Sequence, residues 1–258
     1  VVERVKRSVN YTGPLQAGIL DWSGTTVDPH VIAPAIVFKE IFEKHGVPIT
    51  MKEARGPMGL RKDLHIQKIL ENPDIAYRWT QIKGKSPTPK DVDMLFKDFV
   101  PAQVECLPKY VSLLPGAAEA TQCMQKNLNM KLGSTTGFTR VMVDVLEKYA
   151  RDQGYNPDYT VGGDEVENEM GFRPTPFMIY KNLVQLGIWP IESVVKVDDT
   201  TSGVGEGINA GCWSVGVAGW SNYTDIDTIE DWDNLSVKEK FERVEHSREK
   251  LYETGAHY

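Results

Sequence analysis

The stretch Ile19-Leu20-Asp21-Trp22-Ser23-Gly24-Thr25-Thr26-Val27-Asp28 decides how the rest of the chain is read. An apolar run ends in an aspartate and a glycine follows, so residues 17–20 are predicted to form a short buried strand that carries Asp21 to its C-terminal edge. In open α/β sheets that edge holds the ligand crevice. A carboxylate there can act as nucleophile or metal ligand. Gly24 permits a sharp turn, and Thr25 and Thr26 supply hydroxyl and backbone N–H donors of the kind a phosphoryl group needs. The plainer alternative is a strand that ends in an ordinary Asx turn.

Outward from this stretch two textures follow. Pro34 to His45 has apolar residues at helical spacing with charges opposite. From Thr50 to Tyr110 the patterns are helical only: Thr50 caps a helix through Arg55, Leu60 to Leu70 reads as a second, and Lys90 to Val100 as a third. After Leu114-Pro115-Gly116 the chain alternates. Helices are predicted at Gly116–Leu128, Gly137–Gln153, Pro174–Leu186 and Gly203–Ala210, and strands at Met130–Gly133, Tyr159–Gly162, Val194–Val197 and Cys212–Val217. Such alternation implies a parallel sheet covered on both faces. Ser236 to Glu253 reads as a charged outer helix. The expected fold is therefore α/β: a Rossmann-like parallel sheet core from residues 1–29 and 113–258, with an all-helical cap of residues 30–112 inserted after the first strand.

Composition narrows the function. With 258 residues, 41% of them hydrophobic, the chain is long enough for a full core and a smaller satellite domain. A net charge of −7 without a basic block argues against nucleic acid and favours a small-molecule ligand. Cys106, Cys123 and Cys212 are far apart and lack CxxC spacing, which indicates neither a disulfide framework nor a zinc site and points to a reducing compartment. No membrane span is expected, and Val1 to Asn10 lacks the apolar core of a signal peptide. The expectation is a soluble, cytoplasmic protein, with the organelle open because the chain begins without Met.

In a parallel sheet all strand C-termini share one edge, and here that edge gathers a phosphate-handling set. Asp21 ends the first strand, Ser134, Thr135 and Thr136 end another before Gly137, Arg173 precedes a helix, and Asp198 and Asp199 end the apolar strand at Val197. A carboxylate nucleophile, hydroxyl donors, a cation and acids for a divalent metal are thereby placed together.

The order Asp21-x-x-Gly24-Thr25-x-x-Asp28, then a hydroxyl residue, a cation and an acid pair, resembles the haloacid dehalogenase superfamily. The segments Asp21–Asp28, Ala54–Lys62, Leu132–Arg140 and Asn209–Val217 resemble one branch of it, the phosphonoacetaldehyde hydrolase (phosphonatase) family. The resemblance implies hydrolysis of a P–C bond through a Schiff base at Lys62 and an aspartyl phosphate at Asp21. It implies Mg²⁺ held by the Asp21 carboxylate, the Ser23 carbonyl and Asp199. It also implies a substrate site that includes Ser23, Thr135, Thr136, Gly137, Arg173, Met58 and His65, and a homodimer. One position supports the branch on chemical grounds. Phosphomonoesterases of the superfamily typically hold a second aspartate two residues after the first, as acid for an alkoxide; here it is Ser23. A carbanion leaving group needs an electron sink instead, and a lysine imine supplies one.

Several departures accompany the resemblance. Where the family usually has Gly-Asp and a second Asp four residues on, this chain has Asp198-Asp199 and then Gly203, with Asp198 expected to point to the opposite face from Asp199 if both extend the strand. Phe138 stands where tyrosine is common, and the loop from Gly162 to Phe172 is long. Two other readings stay open on sequence: a Mg²⁺-dependent phosphomonoesterase, which would not need Lys62, and a non-catalytic binding protein, motivated by Gly203.

Overall fold

The structure, a computed structural model, describes residues 11–258; the expectation about Val1–Asn10 lies outside them. Five parallel strands form one sheet in the order β3-β2-β1-β4-β5, with β1 (Ala17–Leu20), β2 (Lys131–Thr135), β3 (Tyr159–Val161), β4 (Val194–Asp198) and β5 (Trp213–Gly216). The fold is α/β. β1 is the central strand and every residue in it is buried, which is why it reads as unbroken apolar sequence. Its side chains alternate between faces. Ala17 and Ile19 pack with Ile179 and Leu183 of α8 (Phe177–Leu186) and with Ala210 of α9 (Thr201–Ala210), whereas Leu20 joins the larger core on the other face.

That larger core is continuous with the helices between β1 and β2. These are α1 (Ile32–Lys44), α2 (Met51–Arg55), α3 (Lys62–Glu71), α4 (Pro73–Lys83) and α5 (Pro89–Cys106), followed by α6 (Ala117–Lys126). Phe38 of α1 stacks on Phe99 of α5 with ring centroids 4.3 Å apart, and Ile66 and Ile69 of α3 complete the contact. Thr50 caps α2 in a reciprocal capping box with Glu53. The helix expected at Leu60–Leu70 starts two residues later, at Lys62, because Gly59 adopts φ +91° and breaks the turn. The sequence pattern does not reveal α4, since Pro73 reads as punctuation. In fact Asn72 accepts a hydrogen bond from the Asp74 N–H and Pro73 occupies the first turn, where its missing N–H costs nothing. α5 continues past Pro101 to Cys106, longer than expected.

Beyond β2 come α7 (Arg140–Asp152) before β3, then α8, β4, α9 and β5, and finally α10 (Ile229–Asn234) and α11 (Val237–Glu253). Register fixes the working edge. Leu20 pairs with Ser134 on one side and Val197 on the other, so the next residues, Asp21, Thr135 and Asp198, stand level across three adjacent strands. Among the described residues, no helix is long and apolar enough to cross a membrane.

Candidate active site

Asp21 leaves β1 with its N–H donating to the Val197 carbonyl at 3.0 Å, and the chain then folds back on itself through Gly24, whose N–H donates to the Val27 carbonyl. Asp28 closes this turn. Its carboxylate accepts the N–H groups of Ile32 and Ala33 at the head of α1, and burial pushes it up to about 7. The first acid of the stretch thus faces the sheet edge, and the last one anchors the helices that follow.

Arg173 is the centre of the charge network at this edge. Its Nη2 donates to Asp21 Oδ1 at 3.0 Å and to the Thr135 carbonyl at 2.7 Å, and its Nε donates to Glu206 Oε2 at 2.9 Å. Nη1 is buried and has no hydrogen-bond partner, a donor left over in a site where every other arm is committed. Burial acts against the guanidinium charge, but Asp198, Asp21 and Glu206 outweigh it. Lys196, fully buried in β4, donates to the Thr135 hydroxyl at 2.8 Å and lies 3.0 Å from Asp198 Oδ2 and 3.5 Å from Glu206 Oε2.

On the acid side, Asp21, Asp198 and Asp199 each offer an oxygen within 4.8 Å of the others. The expectation that Asp198 points away from Asp199 is therefore corrected. β4 ends at Asp198, so the strand's alternation does not extend to Asp199, which already belongs to the turn into α9. Burial raises Asp21, with Arg173 and Lys196 pulling it back. Burial and the neighbouring Asp198 and Asp21 charges hold Asp199 well above the usual carboxylate range. For Asp198, Arg173 and Lys196 more than offset burial and bring it below that range. Hard oxygen donors in this number, one of them lacking a counter-charge, suit a divalent cation such as Mg²⁺.

The helical segment brings the opposite wall. The turn at 57–61 docks on the sheet edge where both partners have no room for a side chain: a Cβ at Gly59 would strike Thr200 and Ser202, and one at Gly137 would strike the Leu60 carbonyl. This contact delivers Lys62 at the first turn of α3, buried, with Nζ 4.6 Å from the Phe138 ring centroid and 5.9 Å from that of Phe38. Burial lowers Lys62 to about 8, against the opposing pull of Asp21.

Asp21, Ser23, Met58, Lys62, Thr136, Gly137 and Arg173 line one cavity of about 20 Å³, room for roughly one water. Thr135, His65 and Asp199 lie behind that wall. The Thr135 hydroxyl is committed to Lys196, Arg173 and Glu206. His65 Nε2 pairs with the Ala54 carbonyl at 2.8 Å and its ring packs on Phe38, with burial and then Lys62 lowering its pKa well below the ordinary value. A wider cavity of about 690 Å³, between α2 and α11, contains none of these residues.

Comparison with known proteins decides the family. No family model matches the chain. The chain is 42% identical over 244 residues to the phosphonoacetaldehyde hydrolase of a strain of Bacillus cereus, covering 95% of this chain and 90% of that one, and 41% identical with the same coverage to that of Bacillus anthracis. The chain belongs to the phosphonoacetaldehyde hydrolase family. A phosphonoacetaldehyde hydrolase-like protein from Oleispira antarctica superimposes with a TM-score of 0.92 at 36% identity, covering 99% of this chain and 91% of that one. A haloacid dehalogenase-like hydrolase from Bacteroides fragilis, at 17% identity and a TM-score of 0.59 over 78% of this chain and 86% of that one, shares the fold. Membership makes the chain an enzyme, a hydrolase of the phosphonatase branch.

Sequence reading missed two members of the network, Lys196 and Glu206. A signal existed for the first: a lone lysine inside Val194–Val197, on a strand flanked on both sides, must be paired. Glu206 sits in the glycine-rich α9 and gave no such sign.

Proposed function

We propose that this chain cleaves the P–C bond of phosphonoacetaldehyde, through an imine at Lys62 and an aspartyl phosphate at Asp21. The observation that carries the reading is that Lys62 and Asp21 border one cavity, and that the Lys62 amine is held at about 8, close enough to neutrality to attack an aldehyde. The neutral amine adds to the carbonyl and water leaves, giving the imine. The Asp21 carboxylate then attacks phosphorus, the P–C bond breaks, and its electrons move into the imine to give an enamine. Water hydrolyses the aspartyl phosphate. Protonation of the enamine and hydrolysis of the imine release acetaldehyde and restore Lys62.

Arg173 supports this sequence twice: its Nη2 holds Asp21 in place, and the unpartnered Nη1 is available to a phosphoryl oxygen. Thr136 and Gly137 complete the phosphate wall, and Met58 packs beside Lys62. Mg²⁺, held by Asp21, the Ser23 carbonyl and Asp199, would neutralise phosphoryl charge. His65, its pKa lowered by burial and Lys62, adds no positive charge beside Lys62.

A cavity with room for one water is too small for the substrate, so residues 30–112 act as a cap that opens to admit it and closes to exclude bulk water. The homodimer implied by the resemblance belongs to the same reading, and sedimentation of the intact chain tests it. Borohydride added with phosphonoacetaldehyde tests the chemistry. The expected result is loss of activity and a reduced adduct that peptide mass spectrometry maps to Lys62. An enzyme that stays active and unlabelled, or a label on another lysine, would overturn the imine.

A further inference from the structure

One residue of the core grips the cap with its side chain and an acid of the site with its backbone. Asn222, buried at the start of a short 3₁₀ turn (Asn222–Thr224), donates its N–H to Asp199 Oδ2 at 2.9 Å, and the preceding Ser221 hydroxyl donates to the Asp199 carbonyl at 2.7 Å. The Asn222 side chain is committed to the cap: Nδ2 donates to the Arg55 carbonyl at 3.3 Å, and Oδ1 accepts from Arg55 Nη1 at 3.4 Å. Arg55, the last residue of α2, is itself buried and closes around the junction of cap and core. Its Nη1 also donates to the His30 carbonyl at 2.7 Å and its Nη2 to the Ile226 carbonyl, while its own carbonyl accepts the Met58 N–H at 3.0 Å, at the start of the turn that delivers Lys62. None of these Arg55 bonds reaches Asp21, Asp198 or Asp199. The route from the cap to Asp199 runs through Asn222.

The linker that Arg55 holds is not relaxed. Asp28, His30 and Val31 take φ of 52°, 65° and 55°, and the left-handed region is least favourable for a β-branched residue such as Val31. Such a conformation persists only where its surroundings fix it, and the guanidinium on the His30 and Val31 carbonyls does so. Loss of that contact frees the linker to relax, which makes docked and undocked caps two distinct states. We infer that Asn222 is a positioning residue that couples cap docking to the placement of Asp199: its side chain is fixed by Arg55 only when the cap is docked, and its N–H then holds Asp199 where the cation site needs it. This rests on the cap motion and the cation site of the proposed function. Coupling is reciprocal, so an ion bound at Asp199 favours the docked cap by the same factor by which docking favours the ion.

Calorimetric titration of the substrate-free protein with Mg²⁺ tests the coupling without reference to turnover. Arg55→Met should lower the affinity about fivefold or more, Asn222→Ala should do the same, and the double variant should fall no further than about twofold below the weaker single one. Circular dichroism establishes that each variant is folded. A residue that only held the fold together would lower the unfolding temperature and leave the Mg²⁺ affinity of the folded protein alone. The reciprocal arm needs no substitution in the cap: Mg²⁺ should slow amide hydrogen exchange across α2 about fivefold or more in the native protein and not in Asn222→Ala. Native-like Mg²⁺ affinity in folded Arg55→Met, losses that multiply in the double variant, or equal slowing of exchange in Asn222→Ala overturns the coupling and leaves the reaction of Lys62 and Asp21 standing. If the native chain binds no Mg²⁺, the cation site and the coupling fall together.

Discussion

Lys62, at the first turn of α3, and Lys196, in the middle of β4, are both lysines removed from water, yet their surroundings differ in kind. Lys196 touches Thr135, Asp198 and Glu206, so its charge is answered within 3.5 Å on every side that matters. Lys62 faces the rings of Phe138 and Phe38, and the acids near it are shared with Arg173. Burial with counter-charges fixes a cation as structure. Burial against aromatic rings leaves an amine that sheds its proton at about 8. The difference separates a lysine that holds the site together from one equipped to react.

The largest expected effect breaks the comparison at its reactive half. Lys62→Met should lower kcat by roughly 10⁴-fold or more, the scale seen when one member of a concerted catalytic unit is removed. Phosphate release from phosphonoacetaldehyde measures it, and a variant within tenfold of the native enzyme would make Lys62 an ordinary core residue. Next in size is the structural half. Lys196→Met leaves Asp198 and Glu206 with Arg173 as a shared cation in place of two and should cost about 3–5 kcal/mol in denaturant unfolding; a loss below about 1 kcal/mol would show that the network does not depend on it.

The same substitution at position 62 should have the opposite sign. Below pH 8 the native protein keeps an ammonium buried that the unfolded chain solvates freely. The folded pKa, about 8, lies below the ordinary lysine value of 10.5, so between these values the unfolded state binds more protons and native stability rises with pH. Lys62→Met should therefore be more stable than the native protein at pH 7, by up to about 3 kcal/mol, with the gain fading as pH rises from 8 toward 10.5. Unfolding curves at pH 7 and pH 9.5 give both values. A variant destabilised at pH 7 would mean that Lys62 is paired as firmly as Lys196.

This contrast also shows what the sequence could and could not disclose. The sheet was legible because β1 is an unbroken apolar run and β4 is one interrupted only by Lys196, each running into an aspartate, whereas β2, Lys131–Thr135, has Leu132 as its one large apolar residue and runs two residues past the expected end at Gly133. The helices between Thr50 and Tyr110 were legible as a class, but Pro73 concealed α4. The pairing of Lys196 with Glu206, ten residues apart across a turn of chain, depends on how α9 packs against β4, which no local spacing encodes. Asp198 was misread for a related reason: strand alternation was carried one residue too far, past the point where β4 ends.

The smallest effect sharpens what makes Lys62 reactive. Two influences of Phe138 on the amine oppose each other. Its ring face, 4.6 Å from Nζ, favours the ammonium by a cation–π contact, whereas its bulk keeps water away and favours the neutral amine. In Phe138→Leu the bulk is largely kept and the ring face is lost. The contact is worth roughly 0.5–2 kcal/mol, so the Lys62 pKa should move down by roughly 0.4–1.5 units. The rising limb of kcat/KM against pH reports this ionisation in the free enzyme and should shift toward acid by the same amount. A shift toward alkaline pH would instead mean that water has entered beside Nζ, and that exclusion of solvent, not the ring face, is what Phe138 contributes to the poise of Lys62.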